Sequence, residues 1–337
     1  MKQKSPFLTI GIASYNYARY LPRAFEAIKR QKFQDFEILY CDDGSTDNSV
    51  EVIQKFIDQN PDMRIRLIQG QNGGVVANKK RILDNAWGQY VMVCDADDWM
   101  ADNCLSILAT EARKSGADRI IGEVTLVDSR GKTIRNLNIA NPSSKWMHTL
   151  WHGCLWNTDI FRSYDFGQPD DFYSDDYYYI QLYNLHCGEA CFVREPVYLN
   201  CWHGENTTTV SSLNGKWRPA ENFLQVMYFT KDIMAQITDE DVISTLRYQI
   251  LKFYDQALCT AAEAAENFET LKSFYENLHL QFEKEFPDYL RNSKITLVRN
   301  NYDRFYGRTG VWGMAHAERL GVLVVLLGLL QKMKHRG

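Results

Sequence analysis

The sequence predicts an α/β fold: a mostly parallel sheet covered by helices on both faces, followed by a helical C-terminal region. Three observations predict it. Short β-rich apolar runs alternate with helically spaced stretches over residues 7–127, the order that builds parallel βαβ units. Clusters of Asp, Asn and Gly fall where those runs end, and open α/β sheets bind ligands outside the carboxyl ends of their strands. Beyond residue 216 the pattern changes to long helical periods.

The elements follow in order. Phe7–Ser14 reads as the first strand, and Leu21–Arg30 as a helix with Phe25 and Ile28 on one face. Phe36–Cys41 is the second strand, Val50–Ile57 the next helix, Arg64–Ile68 a third strand and Val75–Ala86 a helix. Tyr90–Cys94 is a fully apolar run, expected as a buried strand, before a helix at Cys104–Lys114 and a strand at Arg119–Val127. Residues 128–215 are irregular and rich in Trp, Tyr and Asp. Phe223–Met234 and Val242–Ala265 carry helical periodicity, which sets a boundary near Gly215: a first domain over 1–215 and a helical domain over 216–337.

Composition narrows the function. The 337 residues carry a net charge of −4, which argues against a general nucleic-acid binder. The eight cysteines contain no Cys-x-x-Cys pair, so free thiols in a reducing cytosol are the simplest account. Met1–Pro6 has no apolar core of a secretory signal. The expected address is cytoplasmic, with the inner face of the cell membrane as a peripheral site.

The chemistry concentrates in Asp95-Ala96-Asp97-Asp98, three carboxylates in four residues after the fourth strand. Crowded carboxylates repel one another and favour a cation; oxygen ligands on a strand-end loop suit Mg²⁺ or Mn²⁺ shared with substrate phosphates. A solvated acidic turn with Asp102 capping the next helix is the competing reading. A second acidic turn, Asp42-Asp43-Gly44-Ser45-Thr46-Asp47, follows the second strand. A carboxylate there can accept hydrogen bonds from a uracil imide or a ribose hydroxyl, and Thr46 or Asp47 can cap the following helix. The turn lacks the glycine position and distal glutamate of a calcium loop. A dehydrogenase is disfavoured because no Gly-x-Gly-x-x-Gly follows the first strand.

Here the sequence resembles a family. Ile10-Gly11-Ile12-Ala13-Ser14-Tyr15-Asn16, the acidic turn at 42–47, Asn72-Gly73-Gly74, and Ala86-Trp87-Gly88 ahead of Asp95-Ala96-Asp97-Asp98 are similar to the ordered motifs of the family 2 glycosyltransferases of GT-A fold. The resemblance covers about residues 7–210. It implies inverting transfer of a hexose or N-acetylhexosamine from a UDP-sugar to a glycan or lipid-linked oligosaccharide in surface polysaccharide synthesis. By the same resemblance Tyr15 stacks on the uracil, Asp43 binds its imide, and Ala13 contacts the base through its backbone. Asn72 and Ala96 line the nucleotide-sugar site; Asp95 holds the ribose or the metal's water shell; Asp97 ligates Mn²⁺ or Mg²⁺. Among Lys79, Lys80 and Arg81, Arg81 is the candidate nucleotide contact, against an exposed basic helix face.

Ser174-Asp175-Asp176-Tyr177 resembles the family's Glu-Asp element, with Asp175 replacing the more frequent Glu. Asp176 is then the catalytic base that takes the acceptor hydroxyl's proton, beside Asp175; a helix N-cap pair is the alternative. Trp202-His203-Gly204-Glu205-Asn206 resembles the closing segment, whose histidine completes the metal shell, so His203 joins Asp97. Asn200-Cys201 stands where Tyr-Arg is often found, which removes an arginine contact to the leaving phosphate. Trp151 and His152 are candidate acceptor contacts, since aromatic faces suit sugar rings. A polyprenyl-phosphate sugar synthase, or a nucleotide-sugar binder without catalysis, is the alternative. Leu320–Leu330 contains only Leu, Val and Gly and precedes Lys332, Lys334, His335 and Arg336. It is too short to span a bilayer. Two readings stand: an interfacial helix with a basic flank, or a terminal helix buried on the protein.

Overall fold

The computed structural model describes residues 5–137, 144–167, 174–203, 218–296 and 305–334. The expected boundary near Gly215, the segment Gly204–Asn206, and His335 and Arg336 lie outside the described residues. The chain divides into two compact units. The first comprises residues 1–142, 149–170 and 182–209; the second comprises 143–148, 171–181 and 210–337.

The first unit holds one nine-stranded sheet. Its strands are β1 (Leu8–Ser14), β2 (Phe36–Asp42), β3 (Ile65–Gln69), β4 (Tyr90–Asp95), β5 (Trp99–Met100), β6 (Arg119–Asp128), β7 (Thr133–Asn136), β8 (Cys154–Asn157) and β9 (Ala190–Trp202). The order is β3-β2-β1-β4-β8-β6-β9-β5, with β7 on β6. The β3-β2-β1-β4 half is wholly parallel. The other half is mixed: β8 runs antiparallel to both β4 and β6, and β9 runs parallel to β6. Helices α1 (Leu21–Lys29), α2 (Ser49–Gln59), α3 (Gly74–Asn85) and α4 (Cys104–Ser115) connect the strands, and α5 (Thr158–Ser163) follows β8.

The predicted alternation therefore holds element by element, with ends shifted by a residue or two. Strands β2 and β4 are buried almost throughout. Burial on both faces explains why they read as unbroken apolar runs rather than as alternating ones. Asp102 caps nothing: α4 begins after Asn103, whose side chain makes no cap bond, and Asp102 pairs instead with Arg30 at 3.3 Å.

The amino ends of the same strands are tied by a buried polar latch. Thr9 Oγ1 donates to Glu37 Oε1 at 2.7 Å, Arg66 Nε donates to Glu37 Oε2 at 2.9 Å, and Trp87 N donates to Glu37 Oε1 at 2.7 Å. Gly88 N donates to Thr9 Oγ1 at 2.8 Å. A Cβ on Gly88 would sit 2.5 Å from Thr9 N, so only glycine fits this turn. Ala86-Trp87-Gly88 thus serves the entry to β4, at the end of the strand remote from its carboxylates.

The second unit is helical. It contains the first seven residues of α6 (Asp175–His186), then α7 (Pro219–Met234), α8 (Glu240–Ala264), α9 (Phe268–Glu285), α10 (Phe305–Arg319) and α11 (Leu323–Lys334). Phe223, Tyr254 and Phe282 meet at its core with centroids 4.7 to 5.5 Å apart. The apolar run expected as one helix over Leu320–Leu330 is split. Gly321 takes a φ of +66°, its N–H donates to Glu318 O, and Val322 N donates to Ala317 O. This is the paired C-terminal bond pattern of a helix ending on a left-handed glycine. It stops α10 and lets α11 begin at Leu323. Among the described residues no helix is long and apolar enough to cross a membrane.

Candidate functional site

The site in the first unit is built by strand register. Ser14 pairs with Asp42, and Ala13 pairs with both Cys41 and Asp95. The carboxyl ends of β1, β2 and β4 therefore come level, and both acidic turns open from the same edge. The strand order reverses between β1 and β4, the place where open α/β sheets leave a crevice. Ala96 N donates to Ala13 O at 3.2 Å and Asp43 N to Ser14 O at 2.9 Å, which closes both turns onto β1. Ala13 is half-buried and Ala96 fully buried, while Tyr15 is exposed.

Sequence reasoning missed the residue that joins the two loops. Asn16, at a φ of +57°, accepts at Oδ1 from the N–H groups of Thr46 and Asp47, at 2.8 and 3.2 Å. Its own N–H donates to Ser45 Oγ. Its position directly after Tyr15 and the tolerance of Asn for left-handed backbone were the available signals. Asp47, rather than Thr46, serves the start of α2: its Oδ1 accepts from Ser49 N at 2.9 Å.

Asp43 is buried. It accepts from Gly73 N at 3.1 Å and Gly74 N at 2.8 Å, and Arg81 Nη1 lies 3.4 Å away. Arg81 also donates to Asn78 Oδ1 at 2.8 Å. Asn72 lies in this same loop and is exposed. Of the three basic residues on α3, Lys80 pairs with Asp84 on the helix surface at 2.9 Å. Lys79 is the buried one, and its charge helps hold Asp95 in its ionised form.

The β4 carboxylates sit in two carboxylate–histidine pairs. His152 Nε2 lies 2.9 Å from Asp95 Oδ2, and His203 Nε2 lies 2.9 Å from Asp97 Oδ2. Tyr20 stacks on His203 at 4.7 Å, and Asp95 N donates to the Tyr198 hydroxyl at 3.2 Å. Asp98 is held by β9: Cys201 N donates to its Oδ1 at 2.7 Å and Asn200 Nδ2 to its Oδ2 at 2.9 Å. Asn200-Cys201 therefore anchors the acidic loop.

The electrostatics are those of a cluster short of positive charge. Burial pushes Asp98 up to about 7 against the pull of His152, and the charges of Asp97 and Asp95 add to the rise. Burial and the Asp95 charge also raise Asp97, against its bonds to His203. Burial alone would raise Asp95, but the charge and hydrogen bond of His152, with Lys79, bring it down to about 2. Donor atoms of Asp95, Asp98 and His152 lie within 4.8 Å of one another. Mixed carboxylate and imidazole donors of this kind fit a divalent cation.

His152 thus belongs to the carboxylate cluster, beside Asp95. Trp151, its neighbour, is fully enclosed and packs against Trp156 at 4.7 Å and Phe161 at 6.0 Å. A ring with no exposed face offers no stacking platform, so the acceptor role expected of Trp151 gives way to a core role; sequence carries aromatic identity but not burial. Asp175 and Asp176 are half-buried and form the first turn of α6, within the second unit. Carboxylates there are favoured by the helix dipole.

The comparisons with known proteins agree with this architecture. The model of "Glycosyl transferase family 2" matches residues 9–171. The glycosyltransferase GlyG of Streptococcus pneumoniae is 34% identical over 119 residues, 35% of this chain and 39% of that protein. A Campylobacter jejuni protein named GalNAc(5)-diNAcBac-PP-undecaprenol beta-1,3-glucosyltransferase is 34% identical over 114 residues, 33% of this chain and 36% of that protein. The matches thus span under two fifths of the length of these two relatives. Among solved structures, Staphylococcus aureus TarS 1–349 in complex with UDP-GlcNAc aligns at a TM-score of 0.67 with 14% identity, covering 98% of this chain and 92% of that one. The Pyrobaculum calidifontis mannosyltransferase PcManGT, in complex with GDP-Man and Mn²⁺, aligns at 0.51 with 17% identity, covering 94% and 88%. At these identities the likeness is one of fold.

Proposed function

We propose, from the match of the glycosyl transferase family 2 model to residues 9–171, that this chain is a metal-dependent inverting transferase using a UDP-sugar. The transferred group is a hexose or N-acetylhexosamine, and the acceptor is a hydroxyl of a glycan or lipid-linked oligosaccharide in surface polysaccharide synthesis. The observation that carries this reading is the cluster of Asp95, Asp97 and Asp98 beside His152 and His203 at the carboxyl end of β4. The UDP-GlcNAc complex of TarS supports a uridine donor, and the undecaprenol-linked substrate in the Campylobacter relative's name supports a lipid-linked acceptor. The inner face of the cell membrane is the corresponding address.

Each residue then has a task. Tyr15 stacks on the uracil, and Asp43 accepts from its imide through a remaining lone pair, with Ala13, Asn72, Arg81 and Ala96 around the nucleotide. Asp97 and His203 would hold Mn²⁺ or Mg²⁺, beside Asp95, which His152 and Lys79 keep ionised. The ion, when bound, supplies Lewis-acid stabilisation of the departing diphosphate. Asp176, with Asp175 beside it, takes the proton of the acceptor hydroxyl as that oxygen bonds to the anomeric carbon. The bond from that carbon to the diphosphate breaks in the same displacement, so UDP leaves and the configuration inverts.

The test is UDP release from a panel of UDP- and GDP-sugars with Mn²⁺. Release from one UDP-sugar, abolished by EDTA and reduced at least about a hundredfold in Asp97→Ala, is the expected result. Release unaffected by either change would overturn the metal assignment.

A further inference from the structure

The last helix turns its polarity inside out. Leu323, Leu327 and Gln331 are buried. Val322, Val325, Leu326, Leu329, Leu330 and Met333 are exposed, from 39% to 72% of their surface. The exposed set recurs at steps of three and one, the spacing of a single helix face, and the polar Gln331 lies on the other side.

The orientation is fixed by the packing. Gln331 Nε2 donates to Ala265 O at 2.8 Å in a buried bond. A Cβ on Gly328 would lie 2.5 Å from Phe268 Cε2, so the glycine lets the Phe268 ring lie close against this side of the helix. Rolling the helix to hide its apolar face would break the Gln331 bond and drive Leu329 or Leu330 into the space that Gly328 leaves. Contiguous exposed apolar surface rimmed by charge marks an interaction site.

We propose that this face of α11 docks the protein on an anionic lipid surface. Charge selects that occupant: Lys332 is exposed at the edge of the apolar face, and Lys334, His335 and Arg336 follow in sequence, on a chain whose net charge is −4. An acidic chain with Lys332 exposed beside this apolar face, and further cations next in sequence, is matched to a negatively charged interface. The helix lies in that interface rather than crossing it. The inference stands on the helix alone and does not depend on the donor chemistry.

Flotation of the full chain with phosphatidylcholine vesicles, with and without phosphatidylglycerol, tests it. The protein floats with the anionic vesicles, and Leu326→Glu with Leu329→Glu reduces the bound fraction about tenfold or more at unchanged melting temperature. Lys332→Glu with Lys334→Glu also reduces binding about tenfold or more, and raising the salt weakens the wild type. UDP release in solution is unchanged in both variants, which separates this idea from the donor site. No flotation of the wild type, equal flotation of the Leu326/Leu329 variant, or equal binding to neutral vesicles would each overturn it. So would a dimer by light scattering that the leucine variant dissolves, since the face would then belong to a second copy.

Discussion

Within the acidic loop, neighbouring carboxylates have different tasks. Asp97 faces His203, whereas Asp98 has both oxygens occupied by β9 through Cys201 N and Asn200 Nδ2. Removing the Asp98 side chain strands a buried N–H, which costs about 1–3 kcal/mol. Asp98→Ala is therefore expected to lower the melting temperature clearly, and Asp97→Ala to leave it nearly unchanged while abolishing UDP release. Thermal denaturation of both variants checks this, and equal destabilisation would contradict the division. The carboxylates themselves were legible, because acidic residues directly after an apolar strand are conspicuous. Their partners were not: Tyr198 and Asn200 lie a hundred residues on, and no local pattern announces that β9 passes beside β4. Trp151 was misjudged for a related reason, since a tryptophan in an irregular stretch looks the same whether it is exposed or enclosed.

For the elements, the strands were readable because burial on both faces forces continuous apolar runs. The latch at their amino ends was not, because Thr9, Glu37 and Arg66 are single polar residues in three separate strands. Glu37 is buried and Arg66 largely so, at 1% and 23% side-chain exposure. Leaving a buried carboxylate without its partner costs about 3–5 kcal/mol, and the stacking of Arg66 on Trp87 at 3.6 Å is lost as well. Arg66→Ala should lower stability by about 3 kcal/mol, read as a shift of the urea midpoint with Tyr15 and the β4 carboxylates untouched. The break between α10 and α11 was also in plain sight at Gly321; the apolar run on either side hid it, because hydrophobicity alone does not report backbone handedness.

Across the whole molecule, the first unit was the more legible, since register in a parallel sheet places strand ends together wherever the intervening helices run. The helical unit was visible only as periodicity, which fixes helices but not their neighbours. One such neighbour pair contributes to the pH dependence of stability. Asp255 on α8 is raised from 3.8 to about 6 by burial, and Gly310 on α10 leaves room for its carboxylate. Because the folded state holds this proton more tightly than the unfolded chain, the contribution of Asp255 to stability falls as pH rises from about 4 to about 6 and stays reduced above that. Asp255→Asn should restore about 1–2 kcal/mol at pH near 8 and nothing near pH 4. Calorimetry at the two pH values checks the sign, and equal effects at both would refute the linkage.

The strands β1, β2 and β4 open into the acidic loops at their carboxyl ends, and at their amino ends meet the latch that Thr9 and Glu37 form with Arg66 and Trp87. Substitutions at the latch change how much folded protein a cell keeps, while substitutions at the carboxyl ends change what each folded copy achieves. Because the length of a short strand separates the two, a change in the loops can leave the closure that keeps the sheet intact untouched.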